Sequence, residues 1–104
     1  GLTVRPVSVG NEEELSPYSF KLDQNYPNPF NPSTTITYSL EQAGLVRLDI
    51  YNALGQRVTQ LENKSQSPGR YNVQWDASVA PTGIYYYRLE VGDVSLTRKM
   101  TLIK

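Results

Sequence analysis

The chain has 104 residues, with ten basic and ten acidic side chains and neither cysteine nor histidine. Balanced charge without a basic stripe argues against nucleic acid as a partner, and the lack of thiol and imidazole removes disulfides, the usual general base and the commonest transition-metal ligands. No apolar run approaches the roughly 20 residues that span a bilayer, and one domain with a modest core accounts for the length.

Residues 1–19 stand apart from the rest. Leu2, Val4, Val7 and Val9 make a short extended run broken by Pro6, and GNEEELSPYS follows with three consecutive glutamates beside glycine, proline and serine. Such a charged, breaker-rich stretch reads as a linker; the rival is an extra edge strand from Leu2 to Val9. After a brief run from Phe20 to Gln24 comes QNYPNPFNPSTTI, in which three prolines and three asparagines surround Tyr26 and Phe30. Pro27, Pro29 and Pro32 lack an N–H and stiffen the chain, which suits a sheet edge and not a central ladder. Tyr26 and Phe30 are expected to pin this segment against the core, with asparagine side chains bonding nearby backbone.

Thr34 to Leu40 then sets Ile36, Tyr38 and Leu40 on one face and Thr35, Thr37 and Ser39 on the other, because successive strand side chains point oppositely. The next strand puts Val46, Leu48 and Ile50 inside and Arg47 and Asp49 outside. Asn52 to Gln56 reads as a hairpin loop, with Gly55 available for positive φ. Gln56 to Leu61 is a weaker strand in which Val58 and Leu61 differ in parity, the mark of a bulge or bend. Asn63 to Gly69 reads as a polar loop, and its Asn63-Lys64-Ser65 sequon as a plain turn. Tyr71, Val73 and Trp75 alternate with Arg70, Asn72 and Gln74, and Pro81 and Gly83 mark the turn that follows. Tyr85, Tyr87, Leu89 and Val91 share the inner face of the next strand. In the last strand Val94, Leu96, Met100 and Leu102 share a face that Arg98 interrupts, so a bulge or an exposed end is expected there. Seven short runs with short links predict an all-β domain over residues 20–104, a seven-stranded immunoglobulin-like antiparallel β-sandwich.

The dispersed carboxylates, and the absence of a calcium loop or a glycine-rich phosphate loop, leave no catalytic, cofactor or metal site to name. Tyr51 and Tyr86 could form an exposed aromatic patch that stacks on sugar rings; the other tyrosines and Trp75 read as core.

Five stretches in order, FKLDQNYPNPFNPSTTITYSL, VRLDIYNALGQRV, GRYNVQWD, PTGIYYYRLEVG and RKMTLIK, resemble the type A C-terminal sorting domain of the bacterial type IX secretion system, a relative of the immunoglobulin-like domain of flagellar hook-capping proteins. The resemblance covers about residues 12–104. It implies a non-enzymatic address carried by a larger secreted cargo, which passes through the periplasm to the cell surface or the medium. Its partners would be the outer-membrane translocon, a shuttle protein, and a sortase-like peptidase that cuts between Gly10 and Tyr18 and attaches the cargo to anionic lipopolysaccharide. On this chain the family's motifs fall on Gly69, Tyr71, Val73, Trp75 and Asp76, on Gly83, Ile84 and Tyr85, and on Lys99, Met100, Leu102 and Lys104. The expected translocon-recognition set is Gly83, Tyr85, Arg98, Lys99, Met100, Leu102 and Lys104, with the last strand offered for pairing by a partner or merely completing its sheet. The domain is expected to be a monomer. The alternative is a carbohydrate-binding or structural accessory sandwich of a multidomain extracellular enzyme.

Overall fold

A computed structural model describes residues 17–104. Residues 1–16 of the expected linker, the rival strand Leu2–Val9 and almost all of the expected cleavage window lie outside the described residues.

The alternating runs become seven strands: β1 (Lys21–Leu22), β2 (Ser33–Leu40), β3 (Gly44–Asn52), β4 (Arg57–Gln66), β5 (Gly69–Asp76), β6 (Gly83–Val91) and β7 (Val94–Leu102). They form two antiparallel sheets, ordered β1-β2-β5 and β4-β3-β6-β7. The sheets face each other across one core, to which Ile36, Tyr38 and Leu40 come from the first, and Val46, Leu48, Ile50, Tyr87 and Leu89 from the second. β4 lies beside β3, whereas the constant-type immunoglobulin layout keeps its fourth strand in the sheet of the first.

The parity clash in β4 resolves as two bulges. Leu48 pairs with Glu62 and Asp49 with Gln60, which leaves Leu61 unpaired; Ile50 pairs with Thr59 and Tyr51 with Arg57, which leaves Val58 unpaired. β4 continues to Gln66, so the expected polar loop Asn63–Gly69 shrinks to Ser67-Pro68. Asn63, Lys64 and Ser65 are exposed edge-strand residues, and pairing with β3 overrides their weak strand propensity. Asp49, expected to face water, is only 5% exposed because Gln60 Nε2 donates to it at 2.8 Å and Arg57 reaches over it. β7 carries no bulge. Its register with β6 is unbroken from Val94 to Leu102, so Arg98 keeps its place on the inward-facing row and its side chain bridges the sheets instead.

The strands align the sandwich between two ends. At one end lie the β2–β3 and β6–β7 turns, the latter using Gly92 at φ 61°, and Ser19 reaches the same end through the Ser39 hydroxyl, which donates to its carbonyl. The opposite end gathers the β3–β4 hairpin with Gly55 at φ 85°, the β5–β6 loop, and Ile103 and Lys104. A strand of eight residues, about 26 Å, separates them.

Candidate recognition surface at the last strand

The proline-rich segment turns out to be a strap that seals one flank of the sandwich. On the side of the first sheet, Asp23 N donates to Thr37 O, and Tyr26 exchanges two backbone bonds with Thr35. On the side of the second sheet, Gln24 Nε2 donates to Lys99 O at 2.8 Å, and Thr101 N donates to Asn28 Oδ1 at 3.1 Å. Phe30 N donates to Thr101 O, and Ile103 N donates to Phe30 O, both at 3.0 Å. A segment of cis prolyl bonds at Pro27, Pro29 and Pro32 thus supplies edge partners from side chains where its own amides are missing.

Two residues anchor the strap, and one differs from expectation. Phe30 is 2% exposed and packs on Trp75 with ring centroids 5.7 Å apart. Tyr26 is 82% exposed and pins nothing by packing; its strand pairing with Thr35 turns the ring outward. Asn25, 2% exposed, takes that role. Its N–H donates to Tyr87 Oη, and its Nδ2 donates to Pro27 O and Thr34 Oγ1. Asn28 bonds the distant β7 and not local backbone. The alternation of apolar residues could not reveal these roles, because they belong to polar side chains whose partners lie up to 75 positions away.

The seven residues of the expected recognition set fall into two groups. Tyr85, Met100 and Leu102 are buried, and Gly83 pairs with Leu102 at the start of β6. Tyr85 Oη donates to Pro81 O at 2.6 Å, and its ring meets Trp75 edge-on at 5.4 Å. Arg98, Lys99 and Lys104 are exposed. Arg98 Nε donates to Leu22 O at 2.5 Å, so its inward row position carries the guanidinium to the rim of the first sheet. Lys104 N donates to Thr82 Oγ1, and its Nζ donates to Ser78 O, which fixes the chain end on the β5–β6 loop. That loop is ordered by Asp76, whose carboxylate accepts from the Ser78 hydroxyl and amide and titrates below the usual carboxylate range for that reason.

Next to this chain end lies a cleft of about 660 Å³, floored by Trp75 and Tyr85 and walled by Leu54, Val58, Val79 and Ile84. Leu54 and Val79 sit in turns, where periodicity gives no reason for an apolar residue; that misplacement is the only sequence signal of the cleft. The aromatic patch takes a different form from a sugar platform. Tyr51 and Tyr86 are cross-strand neighbours, but the Arg88 guanidinium lies 4.9 Å over the Tyr51 ring and donates to its hydroxyl, occupying the stacking face.

Among the described residues no group of three or more His, Cys, Asp or Glu is placed to hold a metal ion, and no helix is long and apolar enough to cross a membrane. The described residues thus form a two-sheet β-domain whose last strand is strapped along its edge and fixed at its end. The family model described as secretion system C-terminal sorting domain matches residues 24–104, and the chain belongs to that family. It is a C-terminal sorting signal of type IX secretion cargo, working with that machinery to bring a cargo to the cell surface or outside. A comparison with curated proteins finds no match.

Proposed function

We propose that the type IX translocon reads this domain in its folded state, at the end of β7. The carrying observation is that Lys99 and Lys104 are exposed while their backbones are held by Gln24 and Thr82, which gives two cations at fixed positions. Gly83, Tyr85, Met100 and Leu102 support that surface from beneath, and Arg98 ties it to the first sheet. Residues 1–19 serve as the linker, cut between Gly10 and Tyr18 by a sortase-like peptidase that joins the cargo to anionic lipopolysaccharide. A shuttle protein collects the cargo after it crosses the periplasm, and the domain acts as a monomer without catalytic residues of its own.

The test fuses the whole chain behind a periplasmic reporter in a host with a type IX system. Deleting Arg98–Lys104 would remove buried Met100 and Leu102 and so confound recognition with unfolding. Lys99→Glu with Lys104→Glu avoids this: surface delivery should fall severalfold while the melting temperature holds. Unchanged delivery by the double variant would refute recognition through these cations.

A further inference from the structure

We infer that the cleft between the β3–β4 hairpin and the β5–β6 loop is the seat for an apolar segment of the secretion machinery; this rests on the sorting function proposed above. Leu54 is 83% exposed, Val79 97% and Val58 42%, and they stand around a floor of buried Trp75, Ala80 and Tyr85. Apolar side chains held out on two separate turns make no contribution to the core, and their convergence on one concave floor marks an interaction site. Asp76 is the only ionisable carboxylate or cation in the lining, and its charge is already engaged by Ser78. The occupant is therefore apolar and not a charged peptide.

Position selects the machinery as the source of that occupant. Ser19, two residues after the described chain begins, is held by Ser39 at the far end of the sandwich, about 26 Å from the cleft. The cleft opens at the end opposite Ser19, beside the Lys104 ammonium that Ser78 holds at the β5–β6 loop. A translocating complex approaching the end distal to its cargo meets Leu54, Val79 and Lys104 together.

The experiment uses the same reporter carrying the whole chain, with Leu54→Asp, Val79→Asp and, at the far end, Leu45→Asp, where the native leucine is also 53% exposed. The first two should reduce delivery by about tenfold, the scale of losing an apolar anchor, and Leu45→Asp should not. Circular dichroism melting checks the fold of each, and Leu54→Ser and Val79→Ser replace any aspartate variant that melts early. A benzophenone amino acid at position 79 should crosslink to a component of the type IX complex. If the unaltered chain is delivered and the cleft variants are delivered equally well, the cleft inference is wrong while the sorting function stands. If the unaltered chain is not delivered, both fall. A crosslink to a second copy of the chain or to its own residues 1–16 overturns the assignment of the occupant.

Discussion

Phe30 and Leu102 form a parallel bridge between the strap and the last strand, and both are buried, at 2% and 0% exposure. The pair joins residues 72 positions apart, and Phe30 continues through Trp75 to Tyr85 as an aromatic chain linking strap, first sheet and second sheet. Phe30→Ala should cost about 3–5 kcal/mol and Leu102→Ala about 2–5 kcal/mol. In a double-mutant cycle the two losses should fall short of adding, since bridged neighbours share one loss of order. Urea unfolding followed by the fluorescence of Trp75, the sole tryptophan, measures all three.

Much of this fold is legible in the residues. The inward rows Ile36-Tyr38-Leu40, Val46-Leu48-Ile50 and Tyr85-Tyr87-Leu89 follow from period-two alternation, and the clash between Val58 and Leu61 announces the bulges. The polarity of Asn63 to Gln66 hides a strand, because an edge strand paired on one side tolerates residues that a central strand does not. The strap is legible as stiff and edge-bound, yet its anchors are not. Nothing in the spacing says that Asn25 goes inside and Tyr26 outside, since that depends on hydrogen bonds to Thr34 and Tyr87 formed only in the closed sandwich. The recognition set mixes both kinds: exposed cations that contrast with their neighbours, and buried Met100 and Leu102 that merely belong to the core row.

Backbone exchange should report how much of the β7 edge the strap covers. Thr101 N donates to Asn28 Oδ1 and Ile103 N to Phe30 O, whereas Ser95 and Thr97, on the same outward parity of an unbulged strand, have no strap residue beside them. Amide exchange by NMR should be slow at Thr101 and Ile103 and fast at Ser95 and Thr97. Asn28→Ala should release Thr101 while Ile103 stays protected.

Alkaline pH should loosen the domain through two tyrosines. Burial pushes Tyr38 up to about 12, against the bond to Gln66 that pulls it down, and burial likewise pushes Tyr87 up to about 12 against the Asn25 amide. In the unfolded chain both ionise near 10, so unfolding releases protons above that pH. Stability is full below pH 10 and is lost as pH rises through about 12. The urea midpoint should fall across that window, and Tyr87→Phe should make the fall shallower, at a cost near neutrality of about 2–4 kcal/mol for the lost bond to Asp23 O and the buried Asn25 N–H left without its acceptor.

Arg98 should behave as a tie between the sheets. Arg98→Met keeps the aliphatic stem but leaves Leu22 O without its side-chain donor, for a loss of about 1 kcal/mol. Chemical denaturation should therefore separate Arg98→Met, which lowers the midpoint, from Lys99→Glu, whose side chain is exposed and makes no bond of its own. Equal midpoints for the two would remove the tie.

Because Gln24, Asn28 and Phe30 close onto Lys99, Thr101 and Ile103, the sandwich is sealed by contacts between segments more than 70 residues apart in the chain. A ribosome must finish residue 103 before the strap has an edge to grip. A chain that stops before Thr101 would present an unsealed sheet in place of a finished one. The strap thereby makes the folded address a certificate that its last strand is present and paired.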